Sequence, residues 1–128
     1  MKLNGEENAE TLTSANNYAT SLFVLRRFEE AKSLLRRLLP VARRVLGDNN
    51  VTMLMMRSNY AKASYKDPDA TLDSLRETVA TLDELEPSVR RVFGSANPTT
   101  KEIEGDLRNA RAALRARETL PPGGGKHN

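Results

Sequence analysis

Residues 40–47 read PVARRVLG and residues 87–94 read PSVRRVFG, identical at five of eight positions and both ending in glycine. A chain that rewrites itself at this spacing is directed toward a stack of similar units rather than one closed globule. Each unit leaves an apolar face that only its neighbour can cover. A third boundary of the same kind stands at Gly5, so that Gly5, Gly47 and Gly94 are separated by 42 and then 47 residues. Each glycine has an asparagine three positions later: Asn8, Asn50 and Asn97. Glycine after an apolar-periodic segment marks a helix end, because it takes positive φ without steric cost. Asparagine before the next segment marks an N-cap, its side chain accepting from an orphan amide, and Pro98 suits a first helical position. Every boundary therefore reads as a helix that stops, turns and restarts.

The segments between the boundaries carry helical periodicity. Leu12, Ala15, Tyr18, Ala19, Leu22 and Phe23 follow three- and four-residue spacing, as do Phe28, Ala31, Leu35, Ala42 and Leu46. Leu54, Tyr60 and Ala61 are expected inward on the next helix. Leu72, Leu75, Val79, Leu82, Leu85, Val89 and Val92 follow, then Ile103, Leu107, Ala110 and Leu114. The pattern predicts five helices over 9–25, 28–46, 51–65, 69–93 and 98–118, with Pro68 breaking the third from the fourth. Pro40 and Pro87 fall late in two of these helices. A mid-helix proline costs about 3 kcal/mol, so both are expected on the solvent side, where water serves the freed carbonyl. Val45–Leu46 and Val92–Phe93 are then expected to turn inward before each glycine.

The expected fold class is all-α: a short α-solenoid of antiparallel helix pairs, about two and a half repeats, with the fifth helix as a C-terminal cap. It forms one domain over 1–118, and a disordered tail over 119–128 ends in PPGGGKHN. Composition agrees. Charged residues make up 29%, aromatics 5%, and there is neither Trp nor Cys. The absence of cysteine removes disulfide and thiolate chemistry. No apolar run approaches the roughly 18–20 residues of a membrane span, and MKLNGEENAETL lacks the apolar centre of a secretory signal. The expectation is a soluble cytoplasmic protein.

In detail, TLTSANNYATSLFVLRRFEEAKSLLRRLLPVARRVLG resembles the tetratricopeptide repeat of the kinesin light chain type. Thr11-Leu12, Asn16-Asn17-Tyr18-Ala19, Arg27-Phe28-Glu29-Glu30-Ala31 and Val45-Leu46-Gly47 carry the likeness. The second unit keeps Asn59-Tyr60-Ala61 and Val92-Phe93-Gly94, while Asp73 falls near its small-residue position. The resemblance implies that Ala19 and Ala31 let the two helices of a repeat approach closely. It departs at the helix starts, where the family's His is Asn in all three copies. It departs also at Arg26, which replaces a Gly between the paired helices, and at Arg108, where a small residue would face a further helix. A charged residue at that position is the reason for reading the fifth helix as a cap.

Chemistry of other kinds finds little support. The single histidine, His127, lies in the tail, so serines have no imidazole partner in the helical region. No segment shows metal-ligand spacing or a phosphate-binding loop, and Asp67, Asp69 and Asp73 lack the remaining positions of a calcium loop. They suit a helix N-terminus instead. An enzyme, a metal, a cofactor and a small-molecule substrate are not expected. Net charge is +3, concentrated in Arg26, Arg27, Lys32, Arg36, Arg37, Arg43 and Arg44. These positions read as a solvated basic face, and the absence of interleaved aromatics or glycines disfavours nucleic acid.

The resemblance instead implies a protein or peptide partner held in the concave groove of the first helices of each pair. Asn17, Thr20, Val24, Asn59, Lys62 and Lys66 are the candidate groove residues, with Thr13, Met55, Glu102 and Asp106 beside them. Asn17 and Asn59 sit at equivalent positions, and an amide can serve a peptide unit as both donor and acceptor. Two alternatives accompany this reading. One is a segment of a longer repeat protein that acts by stacking or self-association; the other, less supported, is an RNA-associated helical repeat.

Overall fold

The computed structural model describes residues 5–119, with side-chain surroundings from residue 9 onward. Among them lie five helices: α1 (Gly5–Val24), α2 (Phe28–Leu46), α3 (Val51–Lys66), α4 (Leu72–Phe93) and α5 (Pro98–Glu118). Successive helices pack as antiparallel pairs, and α3 also touches α1 and α5, whereas α2 and α4 stand apart. Drawing the odd helices together while separating the even ones curves the array toward the α1–α3–α5 face. The fold is the all-α short solenoid that the repeats require.

The boundaries follow the local chemistry read from the sequence. Asn50 holds extended φ/ψ and accepts from the amides of Thr52 at 2.8 Å and Met53 at 3.4 Å. Asn97 accepts from the Thr99 amide at 2.8 Å, with Pro98 opening α5. Gly47 and Gly94 have φ of 87° and 93°, and their amides donate to the carbonyls of Arg43 and Arg90. Asn8 differs: α1 begins at Gly5, so Asn8 lies inside the helix and not at its start. An intrahelical amide already has its own backbone acceptor, which leaves a cap no orphan to satisfy.

Three apolar clusters hold the stack. Leu12, Ala19, Leu35, Ala42, Met53 and Met56 join α1, α2 and α3. Leu54, Ala61, Leu82, Leu85, Val89, Ile103, Leu107 and Ala110 join α3, α4 and α5. Leu22, Phe28, Ala31 and Ala63 close the first hairpin. Each fully buried leucine contributes about 1.5–3 kcal/mol of burial. Ala19, Ala31 and Ala61 are at most 1% exposed, as close helix approach requires.

Several expectations are corrected. Tyr18 has the periodicity of a core residue but is 59% exposed, because no described helix covers that side of α1. The fourth helix starts at Leu72, not 69. Asp67 accepts from the Asp69 amide, and Thr71 caps α4 by accepting from the Ser74 amide. Asp73 is exposed, and the small-residue position counted back from the octamer is Thr78, which is buried. Val92 is exposed while Phe93 packs inward: the two positions lie 100° apart, and the larger ring takes the buried one. Pro40 and Pro87 are exposed within unbroken helices, as solvation of the freed carbonyl requires.

Candidate functional site

The α1–α3–α5 face carries polar side chains from all three helices. At its α1–α3 seam, the Asn59 amide donates to Asn16 Oδ1 and to Thr20 Oγ1, both at 3.0 Å. Thr20 in turn donates to the Asn16 carbonyl at 3.1 Å. Both Asn59 N–H groups are thus spent between helices, leaving its Oδ1 as the remaining acceptor. Asn17, its equivalent 42 residues earlier, is exposed, and its side-chain amide is unengaged among the described residues. The repeat therefore places two asparagines in register and gives them different work.

At the α3–α5 seam the groups are charged. Lys62 pairs with Glu102, and its Nζ lies 3.9 Å from Asp106 Oδ2. The Tyr65 hydroxyl donates to Asp106 Oδ1 at 2.7 Å, while the buried Oδ2 has no hydrogen-bond partner within the described residues. Burial draws the Lys62 ammonium below its ordinary pKa; the Asp106 charge opposes this and Lys66 adds to it. Burial also pushes the Tyr65 phenol well above its ordinary value. The hydrogen bond and charge of Asp106 act in the same direction, and Asn109 acts against them. Tyr65 therefore remains a donor at neutral pH.

Lys66 and Val24 complete the face. The Lys66 ammonium sits 5.9 Å from the ring centres of Phe23 and Tyr65 and pairs with no carboxylate in the described residues. Val24, at the end of α1, is 70% exposed. Of the six candidate positions, Thr20 and Asn59 are brought into direct contact, Lys62 is committed to α5, and Asn17, Val24 and Lys66 stay open. Sequence reasoning passed over Asn16 and Tyr65. It also placed Asp106 only beside the groove, although the spacing of 47 residues from Asn59 puts that carboxylate in register with the two asparagines.

The opposite face holds a cleft of about 840 Å³ between α2 and α4, floored by Tyr60 and Ser64 of α3. Here the basic run divides. Lys32, expected on the solvated face, is buried: its Nζ lies 3.1 Å from Asp67 and 3.3 Å from Glu29, tying α2 to the turn before α4. A lysine at this depth requires its counter-charges, and the longer second turn supplies one. Arg27 pairs with Glu30, and Arg36 lies over Tyr60 with a 3.4 Å bond to its hydroxyl. Arg43 pairs with Asp48 at 2.8 Å. Arg37 and Arg44 are exposed, as the solvated reading requires. No described helix is long and apolar enough to cross a membrane.

With this geometry in view, a comparison with protein families matches residues 11–51 to the tetratricopeptide repeat. The match spans α1, α2 and the turn into α3, and ends where the lengthened second unit begins. No curated protein and no solved structure matches the chain. Residues 11–51 are thus similar to a tetratricopeptide repeat, a unit that is typically non-catalytic and generally engages protein partners.

Proposed function

We propose that this protein is a non-catalytic interaction module that holds an extended peptide segment against its α1–α3–α5 face. Asn17, Thr20, Val24, Asn59, Lys62 and Lys66 contact the peptide, and Asp106 and Glu102 set the charge beside them. The observation that carries this reading is the unspent hydrogen-bonding capacity along one face. The Asn17 amide, the Asn59 Oδ1 and the unpaired Lys66 ammonium lie on adjacent helices. An extended peptide offers alternating N–H and C=O groups, and these side chains present the complementary set.

The test begins with a displayed random-peptide library selected on the full chain. The selected peptide is then titrated against wild type, Asn17→Ala and Lys66→Glu. Neither side chain contributes a hydrogen bond among the described residues, so both variants keep the helical signal. Each loses a contact worth about 1–1.5 kcal/mol, a weakening of about tenfold. Affinities that do not change in either variant would remove the groove from the function.

A further inference from the structure

The repeat shows what belongs on the outer side of α1. On α3, the stripe Met53, Met56, Tyr60 and Ala63 packs against α2. On α5, the equivalent stripe Thr100, Ile103, Leu107 and Ala110 packs against α4. The same positions on α1, counted back 42 residues, are Thr11, Ser14, Tyr18 and Ser21, followed by Leu25. All five are exposed, Tyr18 at 59% and Leu25 at 64%.

Two further features set this stripe apart from an ordinary solvated surface. It is uncharged: between Glu10 and Arg26 the chain has no Asp, Glu, Lys, Arg or His, in a sequence that is 29% charged as a whole. The far end of the array behaves in the opposite way. On α5, the positions equivalent to the buried Leu12, Ala19 and Leu22 of α1 are Lys101, Arg108 and Arg111, all exposed. Where the stack meets water at α5 it is cationic; where it meets water at α1 it is neutral, hydroxylated and apolar. The small side chains also recur in place: Ser21 matches Ala63 and Ala110, where close approach of a helix leaves no room for more.

We infer that the outer stripe of α1 is a second docking surface, separate from the peptide groove, and that its occupant is an amphipathic helix of a partner protein patterned like α2. The two established interfaces define that pattern. α2 presents Phe28, Ala31, Leu35 and Ala42 to α3, and α4 presents Leu75, Thr78, Leu82 and Val89 at the same spacing. Arg36, next to Leu35, lies with its guanidinium 5.8 Å from the Tyr60 ring centre and donates to the hydroxyl. The helix that covers α1 carries an arginine at that place, over Tyr18. Thr11, Ser14 and Ser21 replace the two buried methionines and the alanine of α3. Docking is therefore weaker than the internal contact, and reversible.

The probe is a synthetic peptide of residues 28–46, blocked at both ends, added to the isotopically labelled full chain. Amide shifts are expected at Thr11, Ser14, Tyr18, Ser21 and Leu25. Tyr18→Glu and Ser21→Arg, both at exposed positions, each weaken binding by at least about tenfold, while Lys101→Ala at an exposed position of α5 leaves it unchanged. A peptide carrying Leu35→Glu does not bind. The inference is overturned if the peptide fails to bind, if its shifts map to α3 through exchange with the chain's own α2, or if both α1 variants bind as wild type does. It is also overturned if the unliganded chain self-associates in sedimentation and Tyr18→Glu abolishes this, since a second copy is then the occupant.

Discussion

The two helix hairpins perform the same reversal with different chemistry. The first crosses from α1 to α2 in Leu25–Arg27, with Arg26 at φ 63°, a left-handed conformation that suits glycine. The second crosses from α3 to α4 in Asp67–Thr71, with an aspartate accepting from an amide two residues on and a threonine cap. Five extra residues separate Gly47 from Gly94, of which two enlarge the turn and three lengthen the start of α4. From Leu75 to Gly94 the second unit then runs in step with Phe28 to Gly47. The comparison teaches that a repeat can absorb an insertion at its turn and the helix start beyond it, provided the register of the packed half is kept.

The strongest way to break that equivalence is to remove its centre. Leu35 and Leu82 occupy matching positions and are both 0% exposed. Leu35→Ala and Leu82→Ala are each expected to cost about 2–5 kcal/mol in urea unfolding, with values similar to each other. A Leu82 variant that loses less than about 1 kcal/mol would show that α4 packs on a different register.

The glycines offer the next test. Nothing lies within 4 Å of a Cβ built on Gly47 or Gly94, so alanine there meets no clash and pays only for backbone conformation. Gly47→Ala and Gly94→Ala should each destabilise by about 1–3 kcal/mol. Gly105 sits inside α5 with ordinary contact to Arg108, so Gly105→Ala should stabilise by up to about 1 kcal/mol. Equal signs at all three positions would undo the conformational argument.

What could be read in advance follows from the range of the forces involved. Helix ends were legible, because glycine, asparagine and proline act within one turn of their own position. The register of α4 was not: counting forward from Gly47 selects Asp73, and only counting back from the octamer selects Thr78. Periodicity marked Tyr18 as apolar and helical, but it cannot tell whether a neighbouring helix exists to cover it. The groove was legible as a face and not as a network. Asn59 follows from the 42-residue spacing, whereas its bonds to Asn16 and Thr20 depend on how closely α1 and α3 approach. Lys32 was misplaced for the same reason, since its partner Asp67 lies in a turn 35 residues away.

The turns themselves sharpen the comparison further. Arg26 pays for its left-handed backbone at roughly 1–2 kcal/mol, offset in part by its guanidinium 5.2 Å from the Phe28 ring centre. Arg26→Gly is therefore expected to raise stability by about 0.5–1 kcal/mol, read as a higher urea midpoint with an unchanged slope. A loss of stability would mean that the stacking on Phe28 outweighs the strain.

The smallest effect is a dependence on acid that only the second turn possesses. The Asp69 amide holds the Asp67 carboxyl below its ordinary 3.8; burial opposes this, and Lys32 adds to the depression through its hydrogen bond and charge. In the window between that depressed folded value and 3.8, the unfolded chain holds more protons than the folded one. The contribution is therefore complete above 3.8 and lost as pH falls through the folded value. The first turn, with Arg26 and Arg27 in place of a carboxylate, has no such term. Asp67→Asn should lower stability near neutral pH and flatten its fall through the acid range, while Arg26→Gly leaves that fall as steep as in wild type. If Asp67→Asn unfolds with the same acid slope as wild type, the carboxylate does not secure the longer turn, and the two hairpins differ in length alone.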